Sequence, residues 1–497
     1  MTRIAATALV LLVMLGSGVR ADDKPASPLP PRAVTHHSIV LGSRRLDYDA
    51  IAEALPLTDR NGKTTAEIFT VSYIVPVPAA GAARPVSFVF NGGPGAASVF
   101  LNLGAIGPKI METTATGEAP TPPVHLVDNP STWLPFTDLV FVDPVGTGYS
   151  RGEGSEKNPD QPFWNVETDL SSLDATVRLW LTRHQRWNAP IYLVGESYGG
   201  FRAAAMAERL PRDADVTVSG LVLVSPALNL SILHPSERDL LAAGFFLPTY
   251  AAIAAELGVG PPAPDLGAVE GFALSDYLVG LAALSGRPPA GDPFVARVAR
   301  MIGLSADIVR RYRARVPNHV FADEVLRPRG KTVSLYDGTI ARPAPSDQHD
   351  RAGDPLLRPI AADFGTAFNL YVADALGYHT DQPYEVLSGD VVRHWDWQGE
   401  HQEGGPGLAL TSLEAALLNH PGTKVLIANG RYDLVTPYLS SRWFVDQLEV
   451  PAAVRAQVRL RVYPGGHMVY LRPASRAALA DDAERLYAAP GGAAPSQ

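Results

Sequence analysis

Short apolar, β-branched runs recur along the chain at residues 87–90, 139–142, 191–194, 221–224, 424–428 and 458–462. They predict strands buried within a sheet. Segments of helical period lie between several of them, such as 169–184 and 202–210. Strand-helix alternation of this kind predicts the α/β class, with a mostly parallel central sheet and helices on both faces. Residues 37–78 read differently: Phe69, Val71, Tyr73 and Val75 fall on one face, and Asn61-Gly62 is a turn shortly before them. Antiparallel strands at the sheet edge are expected there.

From 231 to 405 the rhythm breaks into helical patches and turns rich in Pro and Gly, with a hairpin expected around Asp337-Gly338. A structureless loop of that length is improbable inside a compact domain, so an inserted, mainly helical cap is expected. The expected organisation is a leader at 1–21, a linker at 22–36, core at 37–230, cap at 231–405, core again at 406–488 and a frayed tail at 489–497. No internal repeat is visible.

A chain of 497 residues, 46% apolar and 19% charged, suits one large elaborated core. The formal charge of −9 argues against nucleic acid or an anionic membrane as partner. Arg3, an apolar run from 4 to 19, and Val19-Arg20-Ala21 have the form of an export signal cleaved after Ala21. The run is shorter than a bilayer span, so the expected location is periplasmic or extracellular, with no membrane span after cleavage. With no cysteine, disulfides, thiolate catalysis and cysteine-bound zinc are excluded. His and carboxylate residues show no ligand spacing, so neither metal nor cofactor is expected.

Parallel sheets place ligands beyond the carboxyl ends of their strands. The residues there read Asn91-Gly92-Gly93-Pro94-Gly95, Asp143 through Ser150, Gly195-Glu196-Ser197-Tyr198-Gly199, Asn429 through Asp433, and Gly465-Gly466-His467. The third is a G-x-S-x-G elbow between a strand and a helix, the context that the α/β-hydrolase nucleophile requires. A hydroxyl needs a base, and the base needs an acid to orient it. The fold orders them Ser, acid, His, which selects Ser197, Asp433 and His467. Asp143 precedes the nucleophile and is disfavoured as the acid on that ground. Backbone amides of Gly93 and Tyr198 are the expected oxyanion donors. Arg202 and Arg431 read as surface residues and receive no role.

The stretches VFNGGPGAAS, LGAIGP, DLVFVDPVGTGYS, VGESYGG, ANGRYDLVTP and YPGGHM together resemble the serine carboxypeptidase family, the carboxypeptidase Y-like peptidases. VLSGDVVRHWDW resembles a feature of its bacterial branch. The resemblance implies an α/β-hydrolase core, a helical cap after LVLVSP, and a peptide substrate from which C-terminal residues are removed. It also implies that Asn91, Gly92 and Glu196 bind the substrate's terminal carboxylate. A carboxylate facing a carboxylate must be protonated, so acidic pH should favour such binding. The sequence departs from the family at Val89, where a Trp is usual, and at Ala105, where a Glu is usual. Half of the usual carboxylate clamp is therefore missing. Two alternatives stay open beside the carboxypeptidase: an esterase or acyltransferase with the same triad, and a non-catalytic binding protein on a hydrolase scaffold.

Overall fold

The computed structural model describes residues 29–488 apart from 31, 77–82, 120, 231–238, 285, 287, 345–352 and 398–407. The expected leader and the expected tail lie outside the described residues. The main sheet is built from β1 (Arg32–Leu41), β2 (Arg44–Thr58), β3 (Thr64–Ile74), β4 (Val86–Phe90), β5 (Asp138–Val142), β6 (Ile191–Glu196), β7 (Val218–Val224), β8 (Lys424–Gly430) and β9 (Val458–Tyr463). Their order across the sheet is β1-β2-β3-β5-β4-β6-β7-β8-β9. The first three strands and the β3–β5 pairing are antiparallel, and every pairing from β5 to β9 is parallel.

Each apolar run of the sequence became one of these parallel strands, and five of them are buried because both faces of the sheet are covered there, whereas β9 at the sheet edge leaves Arg459 and Arg461 exposed. Phe88, Leu193, Leu223 and Ile427 pack into one apolar cluster, whereas Val89, Val194, Val222 and Leu426 pack into another. Helices α1 (Val166–Arg183) and α2 (Tyr198–Asp213) contribute to the first cluster. Helices α3 (Leu357–Asp374) and α4 (Pro473–Ala488) contribute to the second. The α/β-hydrolase class is thus the observed one.

Register decides where chemistry can happen. Phe90 pairs with Gly195, and Val224 pairs with both Glu196 and Ala428. The strands therefore end together, and the loops that follow them meet along one rim.

Two expectations need correction. β1 begins at Arg32 inside the expected linker, ahead of the strands expected from 37 on, and all ten of its residues pair antiparallel with β2. An edge strand open to solvent on one face needs little apolar content. The run 266–283, passed over in the sequence, is apolar enough for a membrane span by length and composition. It is folded as two eight-residue helices, Leu266–Ala273 and Asp276–Ala283, each roughly 12 Å long at 1.5 Å per residue and far short of a bilayer.

Between β7 and β8 the described residues add no strand to the main sheet. They form helices and a hairpin in which Lys331–Val333 pairs antiparallel with Ala341–Pro343. The apex of that hairpin is the Asp337-Gly338 turn.

Candidate active site

Ser197 sits between β6 and α2 at φ 58°, ψ −121°, a left-handed conformation that L-residues adopt at a cost of about 1–3 kcal/mol. The neighbours make the turn possible. A Cβ on Gly195 would lie 2.0 Å from the Gly199 carbonyl oxygen, and one on Gly199 would lie 2.3 Å from that of Phe90. Backbone hydrogen bonds hold the elbow: the Ser197 amide donates to the Val224 carbonyl at 2.9 Å, and Ala227 donates to the Ser197 carbonyl at 3.0 Å.

Asp433 and His467 arrive on the loops after β8 and β9. A Cβ on Gly430 would lie 1.9 Å from the carbonyl oxygen of Gly466, so the two loops touch backbone to backbone. Asp433 is fully buried, and its Oδ1 accepts from the amides of Val435 at 2.7 Å and Thr436 at 2.9 Å. Its Oδ2 lies 2.8 Å from His467 Nδ1. The Thr436 hydroxyl lies 2.7 Å from the same oxygen. Burial lowers the pKa of His467, but the charge and hydrogen bond of Asp433, with a further contribution from Glu196, outweigh it and raise the net value above 6.5. With Nδ1 engaged, Nε2 is the nitrogen left for a substrate hydroxyl or a nucleophile. Asp143 does not compete: its Oδ1 accepts from the amide and hydroxyl of Ser98, both at 2.7 Å, and burial pushes it up to about 6.

Ser197 and His467 line one cavity of about 220 Å³. Among the described residues no hydrogen bond joins the Ser197 hydroxyl to the imidazole. Such contacts often tighten only once substrate is bound. Asn91, Gly92, Gly93 and Glu196 line the same cavity. The Tyr198 amide, at the first position of α2, has no acceptor within its own helix and is free to meet a ligand. Gly93 takes φ 101°. A Cβ on Gly92 would lie 2.6 Å from the Tyr198 amide nitrogen and 2.9 Å from Ser197 Cβ. Both obstacles belong to the elbow and cannot swing aside. Gly92→Ala is expected to displace the elbow and slow acylation by roughly a hundredfold, as a shift near 1 Å does. The rate of ester hydrolysis, read beside the melting temperature, checks this.

Glu196 is buried, and its Oε2 accepts from both Asn91 Nδ2 and, at 2.9 Å, the Tyr470 hydroxyl. Its Oε1 is buried with no protein partner among the described residues. Desolvation dominates and pushes Glu196 up to about 7; His467, Tyr470 and Asn91 pull the other way, and Asp433 adds to the rise. A protonated Glu196 would carry its hydrogen on Oε1, since Oε2 already receives two. Val89 and Ala105 are both buried and apolar. Of the described residues lining the cavity, those from the inserted segment are Tyr336, Leu357 and Leu387, which supply no carboxyl or amide.

Arg202 is not a surface residue. It is 1% exposed, paired with Asp169 through Nε at 2.8 Å and Nη2 at 3.0 Å, and its Nη1 donates to the Asn91 carbonyl at 2.8 Å. The guanidinium thus anchors the loop after β4. The VLSGDVVRHWDW stretch packs over the elbow: the Ser388 amide donates to the Gly95 carbonyl at 2.8 Å, and Trp395 meets the Tyr198 ring at 5.5 Å.

Sequence reasoning missed Ser225, Thr436, Tyr336 and Tyr470. Ser225 follows β7, takes φ 43°, and its hydroxyl donates to the His467 carbonyl at 2.8 Å. Its place directly after a predicted strand was the available signal. The Tyr336 ring stands edge-on to the His467 ring at 5.5 Å. Nothing in the local pattern around Tyr336 marks it.

The family model described as serine carboxypeptidase matches residues 73–232. Over that span the chain is similar to the serine carboxypeptidases. The match takes in Asn91, Gly92, Gly93, Glu196, Ser197 and Tyr198, and ends before Asp433 and His467. Serine carboxypeptidase-like 8 of Arabidopsis thaliana is 26% identical over 151 residues, which are 29% of this chain and 31% of that protein. Carboxypeptidase sxa2 of Schizosaccharomyces pombe is 28% identical over 138 residues, 27% of this chain and 25% of that one. The chain therefore matches between a quarter and a third of these relatives' lengths. The structure of a prohormone-processing carboxypeptidase of Saccharomyces cerevisiae aligns over 88% of this chain and 92% of its own, at 14% identity and TM-score 0.53, which is a likeness of fold.

Proposed function

We propose that the chain is a serine-type carboxypeptidase that releases C-terminal residues from peptides through an acyl-enzyme on Ser197. The observation that carries this reading is the Asp433–His467 hydrogen bond on the same cavity as a serine held in a strained elbow. Ser197 attacks the acyl carbon, and His467 takes its proton at Nε2 and returns it to the leaving amine. Asp433 stays ionised and steadies the imidazolium. The amides of Gly93 and Tyr198 receive the oxyanion. Water then repeats the sequence on the ester and frees Ser197. With residues 1–21 read as a cleaved leader, the proposed place of action is the periplasm or the extracellular space.

Asn91, Gly92 and Glu196 are proposed to hold the substrate's free carboxylate, with the proton on Glu196 Oε1 donated to it. The apolar side chains of Phe100, Leu357, Leu387, Val435 and Met468 line the rest of the cavity and suit an apolar residue. The missing half of the clamp favours a second reading, an esterase or acyltransferase on the same triad.

The pH dependence separates the two. Protonation of His467 removes the base, so activity on any substrate falls on the acid side, through a pKa above 6.5. Glu196 binds a carboxylate only while protonated, and is lost as pH rises through about 7. Blocked peptide acids are therefore expected to show a bell-shaped kcat/KM against pH, and the matching esters or amides a plateau on the alkaline side. An alkaline plateau for peptide acids removes Glu196 from carboxylate recognition, and cleavage confined to esters removes the peptidase reading.

A further inference from the structure

The hairpin apex of the inserted segment touches both catalytic loops through the backbone. The Gly338 amide donates to the Tyr432 carbonyl at 3.0 Å, and the Leu434 amide donates to the Leu335 carbonyl at 3.0 Å. These two bonds grip the residues immediately before and after Asp433. On the other side, the His467 amide donates to the Tyr336 carbonyl at 2.6 Å. A Cβ on Gly466 would lie 1.9 Å from that carbonyl oxygen, so the histidine loop is pressed against the turn.

One ion pair fastens the turn itself. Asp337 is buried, and its Oδ1 accepts from the amide of Thr339 at 3.0 Å and its hydroxyl at 2.6 Å. Its Oδ2 accepts from Arg472 Nη2 at 2.9 Å. Arg472 lies five residues after His467, also reaches Thr339 Oγ1 at 2.6 Å, and stands over the Tyr432 ring at 5.1 Å. The acid loop, the base loop and the inserted turn thereby form one connected unit. None of these contacts touches the cavity's reacting groups directly.

We propose that this turn is the template that aligns the triad, and that Asp337 is a positioning residue for His467 and Asp433. The inference rests on reading Ser197, Asp433 and His467 as that triad. Backbone bonds on both sides of Asp433 fix the direction in which its carboxylate leaves the loop. The bond to the His467 amide fixes where the imidazole begins. Asp337, tied to Arg472, keeps the turn at the depth where all three bonds form. The inserted segment is then part of the catalytic centre on this side, and it cannot swing away without dissolving the Asp433–His467 contact.

Asp337→Asn keeps the shape of the side chain and removes its charge, and Thr339→Val removes the hydroxyl that Asp337 and Arg472 share. Three readouts are taken at a temperature where each variant is folded: kcat and KM on a nitrophenyl ester, and the downfield proton resonance of His467 Nδ1. Asp337→Asn should lower kcat about tenfold or more, leave KM within about twofold, and shift or broaden that resonance, with Thr339→Val changing all three in the same direction but less. Rates within twofold of wild type in both variants overturn the proposal, as does a loss carried by KM or a loss with an unchanged resonance. Should Asp337→Asn fail to fold, Thr339→Val decides by the same readouts. Ser197→Ala, run in parallel, tests the underlying triad reading: turnover that survives there sinks that reading, whereas a dead Ser197→Ala beside an unaffected Asp337→Asn sinks the template alone.

Discussion

Ser197→Ala is expected to lower kcat on an activated ester by roughly four to six orders of magnitude while the protein stays folded. The chemical reason is the absence of any other nucleophile in the proposed scheme; the oxyanion amides and the cavity remain and leave only a small residual rate. The structural reason for expecting an intact fold is that the elbow is held by main-chain bonds: the Ser197 amide to Val224, and the Ser197 carbonyl to Gly200 at 2.9 Å and Ala227. Alanine keeps all three. Ester hydrolysis and thermal unfolding followed side by side check the result, and turnover near wild type would place the nucleophile elsewhere.

Asp433→Asn is expected to cost about four orders of magnitude in kcat at neutral pH, with KM little changed. The hydrogen bonds around the carboxylate dictate this. Val435 and Thr436 both donate amides to Oδ1, so an asparagine must place its own carbonyl oxygen there. Its NH2 then takes the position of Oδ2 and points at His467 Nδ1. A donor facing Nδ1 requires that nitrogen to accept, which moves the imidazole proton to Nε2. An imidazole protonated at Nε2 cannot take a proton from Ser197. The same steady-state assay measures the effect, and a loss of less than tenfold would show that Asp433 does not set the tautomer.

The parts of this site that were legible in the sequence share one property: they sit within a few residues of a strand end. β4, β6, β8 and β9 announce themselves as apolar runs, and in a parallel sheet the fold itself says which end carries function. Gly195 and Gly199 were legible too, because close backbone approach leaves no room for a side chain. What was not legible came from chain segments without periodic pattern. Tyr336 reaches His467 from an insertion more than a hundred residues earlier in the chain, and only tertiary packing brings them together. Tyr470 follows His467 by three residues with no local pattern to mark it, yet its hydroxyl reaches Glu196 across the sheet rim. Arg202 was misread because arginines are mostly exposed; its burial depends on Asp169 of α1, which supplies the compensating charge. Residues 32–36 of β1 were placed in a linker because one solvent-facing side dilutes their apolar signal.

The proposed catalysis requires that the hydroxyl at position 197 be activated by an imidazole that a buried carboxylate orients. Treating the folded protein with a fluorophosphonate and mapping the adduct by peptide mass spectrometry tests this directly. A single phosphonyl group on Ser197, formed at a rate that rises as His467 loses its proton, is the predicted result. A protein left unlabelled at every pH, or labelled at another side chain, would contradict it.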